Sequence, residues 1–187
     1  MRSSRSRRSR TSEGDPSVVV RDATLDDAPA IARVRRESWG AAYEHIFGRE
    51  RLETISEEED AARWTRWLSG APSGAGAVVA TVGEDVVGFA SHGPSRDDPA
   101  VGELFTIYVL PSRWGAGVGQ ELMRETLARL GVHGFGEAVL WVLEDNPRTR
   151  LFYERAGWSE DGGTKQEEWL GVLVREVRYR IALDEPG

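Results

Sequence analysis

Residues 103–122 read ELFTIYVLPSRWGAGVGQEL, and the order of residue types in this stretch decides the fold. The apolar, β-branched run from Leu104 to Leu110 predicts a strand, which Pro111 ends. Gly115, Gly117 and Gly119 then lead directly into a helical pattern that begins near Val118. Strand, glycine loop and helix in that order make an anion site. Glycine lets the backbone approach an anion closely, and the free N–H groups and positive dipole end of the helix favour negative charge. The expected ligand is a diphosphate.

Two common diphosphate loops do not fit. A nucleoside-triphosphate loop needs Gly-Lys-Ser/Thr, but Gly119 is followed by Gln120 and Glu121, and the chain's one lysine is Lys165. A dinucleotide fingerprint counted from Gly115 and Gly117 puts Gln120 where its third glycine belongs. What remains is P-x-x-x-G-x-G-x-G behind a strand, with an unliganded glycine turn as the plain structural alternative.

Downstream of the loop, Leu122, Met123, Leu127 and Leu130 give the helix a buried face, and Gly131 is expected to stop it. Ala138 to Leu143 reads as a buried strand. Asn146-Pro147 starts a short helix, with Asn as cap and Pro in the first turn, and Leu151, Phe152 and Tyr153 follow on it until Gly157. Two more strands are expected, near Trp158 and from Val174 to Leu183, with Gly162-Gly163 blurring the first. Upstream, Ser17 to Ala23 reads as a strand, and Thr24 with Asp27 as a helix start. The helical pattern breaks around Gly40, which leaves Trp39, Tyr43, His45 and Phe47 in an irregular connection, where binding residues concentrate. Ser56 with Glu59 opens another helix carrying Ala61, Trp64, Trp67 and Leu68 on one face, and Ala77 to Val82 and Val86 to His92 form a hairpin around Gly83-Glu84-Asp85. The resulting order is β-α-α-β-β-β-α-β-α-β-β.

Composition sets the class. Of 187 residues, 40% are hydrophobic and seven are Trp, which suits one domain with a substantial core. Residues 1–16 carry five Arg against Glu13 and Asp15, a net +3, so the overall −7 leaves −10 on the remainder. The Arg/Ser-rich tail 1–16 is expected to be disordered, and residues 17–183 to be the single domain. An acidic body argues against a nucleic-acid groove and leans towards an amine-bearing partner. Without cysteine there is no disulfide, thiolate zinc site or cysteine nucleophile. His45, His92 and His133 show no metal pattern. No apolar run approaches the roughly 18 residues that span a bilayer, and no signal peptide is evident, so the expected location is the cytoplasm.

The glycine loop, the element order and the later LEDNPRTRLFYERAGW together resemble the GNAT superfamily of acyl-CoA-dependent N-acyltransferases, across essentially residues 18–183. The resemblance implies a three-layer α/β/α fold with a mixed, mostly antiparallel sheet splayed at an acetyl-CoA cleft. It implies Ile107, Tyr108 and Val109 for pantetheine and the acetyl carbonyl, and Gly115, Ala116, Gly117, Val118, Gly119 and Gln120 for the pyrophosphate. Trp114 departs from the family's usual Gln or Arg. The family's N-x-x-A-x-x-x-Y falls on Asn146 and Tyr153, with Thr149 in place of Ala, so Asn146 would touch the cofactor and Tyr153 would protonate the departing thiolate. Glu103 matches the glutamate used by the histone acetyltransferase branch. The ribosomal N-terminal-alanine branch uses a glutamate where this chain has Trp141.

An ammonium has no lone pair to attack a thioester, so a base is needed, and Glu103 is the candidate, the alternative being that Glu103 is a strand-end carboxylate that merely orders water. The expected activity is direct acetyl transfer from acetyl-CoA to a primary amine in a ternary complex, without a metal. Trp39, Tyr43 and Trp141, with Glu103, suit a small cationic acceptor. A protein or peptide amine is the alternative, and a non-catalytic acyl-CoA sensor is the alternative from another class. Neither nucleic acid nor membrane is an expected partner, and a homodimer stays open.

Overall fold

The computed structural model describes residues 17–183, so the expected tail 1–16 lies outside the described residues. Seven strands form one sheet in the order β1-β2-β3-β4-β5-β7-β6. They are β1 (Val18–Asp22), β2 (Gly76–Val82), β3 (Asp85–Pro94), β4 (Gly102–Val109), β5 (Glu137–Leu143), β6 (Ser159–Trp169) and β7 (Val172–Ala182). Only β4 and β5 run parallel; the other neighbours are antiparallel. Among the described residues there are also five α-helices, α1 (Ala28–Phe47), α2 (Arg49–Glu53), α3 (Glu57–Gly70), α4 (Val118–Val132) and α5 (Pro147–Arg155), and two single 3-10 turns, Leu25–Asp27 and Pro111–Arg113.

The helices cover both faces. Successive residues of a strand point to opposite sides, and on β3 a Cβ at Gly88 would meet Leu122 of α4 at 3.0 Å, while Phe89 packs edge-on against Trp64 of α3. Such a strand is buried from both sides, which is why β3 is an almost unbroken buried run. Leu122 and Leu130 of α4 are fully buried, each contributing on the order of 1.5–3 kcal/mol by leaving water.

The helix starts follow their caps. The Asp27 carboxylate accepts from the Thr24 backbone N–H at 2.7 Å and from Arg21, and the Ser56 hydroxyl accepts from the Glu59 N–H at 3.2 Å. One expectation needs correction. The chain does not become irregular at Gly40, because α1 continues through it to Phe47, and the break comes at Gly48, whose φ is 75°. Trp39, Tyr43 and Phe47 recur every four residues on one face of that helix and pack together, which outweighs the roughly 1 kcal/mol cost of an internal glycine. Gly162 and Gly163 likewise do not end a strand; they sit in an irregularity within β6, opposite Arg178.

The feature that makes the site is the way β4 leaves β5. The two strands pair only at Gly102 with Ala138 and Glu103 with Val139. On its other edge β4 carries a bulge: Ser91 faces Thr106 and His92 faces Leu104, so Phe105 is the extra residue. A bulge bends its strand, and from Phe105 onward β4 changes from buried to half-buried. The bulge also resets the alternation.

Candidate active site

One cavity of about 1630 Å³ runs through the gap between β4 and β5. From the α1 side it is lined by Trp39, Tyr43, Glu103 and Trp141, and from the α5 side by Asn146 and Tyr153. Every residue expected to bind cofactor, except Ala116, lines it as well.

At one end is the glycine loop. Gly115 and Gly117 have φ of 81° and 83°, a left-handed conformation that disfavours any side chain. The first N–H groups of α4 to find a carbonyl are those of Gln120 and Glu121, both bonding Gly117 O, so Val118 and Gly119 keep the free donors of a helix start. A Cβ at Gly119 would come within 3.3 Å of Phe152, so glycine is also what lets α4 and α5 close together. Trp114 does not approach the loop as a donor to phosphate: its indole N–H donates to Val109 O at 2.8 Å and fixes the strand end. Its face instead carries Arg148, whose guanidinium lies 3.7 Å from the ring centroid. Arg113, Arg148 and Arg155 all line this end, and among the described residues none of them is in an ion pair. The donor set fits a diphosphate.

In the middle, Asn146 does two jobs. Its Oδ1 accepts from the Thr149 N–H at 3.2 Å, which caps α5, and its buried Nδ2 has no partner. An orphaned buried donor beside the gap fits a carbonyl-bearing ligand such as pantetheine. Val109 O is not available for that purpose, because it accepts from both Ser38 Oγ and the Trp114 indole. Tyr153 is buried on α5 among Phe152, Trp158 and Tyr179. Burial, with Tyr108 alongside, pushes its phenol pKa up, so it stays protonated at working pH. Burial raises Tyr43 and Tyr108 in the same way. Leu151 is 45% exposed at the rim of the cavity.

At the other end stand the carboxylates. Glu103 is 1% exposed and holds Arg96 twice, the guanidinium donating to Oε1 at 2.8 Å and the backbone N–H to Oε2 at 3.1 Å. Trp39 stacks on Phe47 and on Trp169, with centroids at 5.9 and 5.7 Å. Sequence reasoning missed Arg96, Arg148, Lys165, Glu167, Trp169 and Glu176, all of which line the cavity. Those on β6 alternate with period two, Lys165, Glu167, Trp169, and that is the one sign the sequence offers. It becomes legible only once Lys165 is known to pair with Glu176, and Glu176 with Leu143 two residues beyond Trp141.

Residues 33–158 match the Acetyltransferase (GNAT) family. The chain belongs to that family. It is 34% identical over 163 residues to the uncharacterized N-acetyltransferase YuaI of Bacillus subtilis, covering 86% of this chain and 90% of the relative. Among solved structures it resembles the PaiA N-acetyltransferase of Thermoplasma acidophilum, determined in complex with coenzyme A, with a TM-score of 0.69 and 20% identity over 89% of this chain and 99% of that one. It also resembles the ribosomal-protein-alanine N-acetyltransferase of Brucella melitensis, with a TM-score of 0.70 and 22% identity over 88% and 99%. These likenesses establish the GNAT fold, and the chain is a GNAT N-acetyltransferase. Among the described residues no helix is long and apolar enough to cross a membrane.

Proposed function

We propose that this GNAT enzyme transfers the acetyl group of acetyl-CoA directly to a primary amine on a small cationic acceptor, with both substrates bound at once. The observation that carries this reading is the charge polarity of the cavity. Three arginines in no ion pair among the described residues, Arg113, Arg148 and Arg155, border the glycine loop, whereas at the aromatic end the carboxylates Glu103, Glu167 and Glu176 are met by Arg96 and Lys165 alone in ion pairs, and Arg35 over the Trp39 ring is held by Asp60. One end suits a diphosphate and the other an ammonium. At about 1630 Å³ the cavity exceeds the ~300–1,000 Å³ typical of a single small-ligand pocket, which suits two substrates together.

Acetyl-CoA, when bound, supplies the thioester carbon that the amine attacks. The residues divide the remaining work. The Gly115–Gln120 loop takes the pyrophosphate on its backbone N–H groups, aided by Arg148 from the face of Trp114. Asn146 Nδ2 and the Ile107–Val109 edge, apart from the committed Val109 carbonyl, hold pantetheine in the gap. Glu103, with both oxygens engaged by Arg96, takes the acceptor's proton through an intervening water rather than by moving, and Tyr153 gives its phenolic proton to the CoA sulfur. A sensor would need none of the last two groups.

The experiment is a thiol-release assay with acetyl-CoA over a panel of primary amines and amine-bearing peptides, alongside thermal unfolding with acetyl-CoA. Release with a small cationic amine, together with an upward shift of the melting midpoint, is expected. A midpoint shift without release from any amine would make the chain a sensor, and release only with peptides would move the acceptor to that class.

A further inference from the structure

The chain's one lysine lies inside the cavity. Lys165 Nζ sits 4.7 Å from the centroid of the Trp141 ring, 3.0 Å from Glu167 and 3.2 Å from Glu176 Oε2. A carboxylate pair and an indole face are the groups that recognise an alkylammonium, so the structure displays this corner with an alkylammonium in it. Register explains how the corner forms. Lys165 pairs with Glu176, Glu176 with Leu143, and Leu143 follows Trp141 by two residues on β5, so these side chains share one face of the sheet.

The corner is not balanced by its resident. Glu176 is 3% exposed, and its Oε2 makes no well-formed hydrogen bond although Lys165 Nζ lies 3.2 Å away. A buried carboxylate oxygen left in this way is costly and calls for a better-placed donor. Burial pushes the Glu176 carboxyl up despite Lys165, with Glu167 and Arg96 as the other charges facing it. At this end of the cavity Glu103 is held by Arg96, while Glu167 and Glu176 share the single ammonium of Lys165. Arg178, over the same Trp141 ring, is committed to Asp161.

We propose that Glu176, Glu167 and Trp141 form an ammonium subsite that binds a second positive group of the acceptor, remote from the amine being acetylated, and that Lys165 is the occupant this group displaces. The inference rests on the acetyltransferase reading above and narrows its acceptor to compounds with two cationic groups, such as diamines. Lys165 suits the displaced role, since its ammonium rides on a flexible stem that is a quarter exposed.

The test compares 1,3-diaminopropane through 1,6-diaminohexane with monoamines of the same chain length, in wild type, Glu176→Gln and Lys165→Met. In wild type at least one diamine should exceed its monoamine in kcat/KM. Glu176→Gln should erase that preference, lowering the diamine kcat/KM by about 10- to 100-fold through loss of one charged contact and the monoamine value by clearly less, with the KM for acetyl-CoA unchanged. Lys165→Met should lower the diamine KM several-fold by removing the competitor. An equal loss for monoamine and diamine, a raised diamine KM in Lys165→Met, or acetylation of Lys165 itself by intact mass would overturn the inference. Binding needs no turnover: diamines should quench tryptophan fluorescence of the CoA-saturated protein, more strongly in Lys165→Met. No quench in either protein sinks the subsite, whereas quenching without turnover of any amine sinks the proposed chemistry and leaves the subsite standing.

Discussion

Tyr153 is at once a packed aromatic and a wall of the cavity, so removing only its hydroxyl separates the two roles. Tyr153→Phe is expected to keep the fold and the acetyl-CoA midpoint shift while lowering kcat by roughly 10²-fold, read from steady-state rates. Because burial raises the phenol's pKa, that loss should be constant from pH 6 to 9. Glu103→Gln should behave differently. If Glu103 receives the acceptor's proton, the loss, again about 10²-fold near neutrality, shrinks as pH approaches the ~10.4 of a free alkylamine, which is then deprotonated without help. A pH-independent loss would leave Glu103 as the anchor of Arg96 alone. At this scale the sequence was informative where a residue type and a motif coincide, as at Asn146 and Tyr153. It was silent on Glu176 and Arg148, because their importance comes from a strand partner and a tryptophan face that are distant in the chain.

The glycine loop acts as an element, since its N–H groups work only in the left-handed geometry of Gly115 and Gly117. Gly117→Glu adds backbone strain at φ 83° and places a carboxylate in an anion cradle, so the variant should lose the acetyl-CoA midpoint shift, and a full shift would place the pyrophosphate elsewhere. The turn between β1 and α1 gives a pH signature. The Arg21 hydrogen bond, opposed by burial and aided by Thr24, lowers the Asp27 carboxyl from 3.8 to about 2. A depressed pKa stabilises the fold above the unfolded value, and the contribution fades as pH falls from about 4 to about 2. Asp27→Asn should therefore be about 2 kcal/mol less stable than wild type at pH 7 in urea unfolding, with the gap closing below pH 2. Elements with local signals, the caps at Thr24, Ser56 and Asn146 and the strand of residues 102–109, were readable from sequence. The unbroken α1 was not, because Gly40 is a real local penalty that only the tertiary stack of Trp39, Tyr43 and Phe47 outweighs.

For the whole molecule, deletion of residues 1–16 is expected to leave the melting midpoint and kcat/KM unchanged, since that stretch is Arg/Ser-rich and nearly without apolar anchors and β1 begins at Val18. A large loss of activity would mean that the tail recruits substrate. The element order and the glycine loop made the architecture recognisable in the sequence, yet the bulge at Phe105 has no sequence mark, and the opening depends on it. The opening has a mechanical meaning as well. With β4 and β5 joined by only two rungs, the sheet consists of two plates, β1 to β4 and β5 to β6, welded along a short seam at Gly102 and Glu103. Beyond the weld no backbone ladder connects them, so the pantetheine arm would serve as a removable splint. Any flexing of the unliganded enzyme would then centre on the seam at Glu103, the proposed base, and the splint that stiffens it would arrive together with the acetyl group.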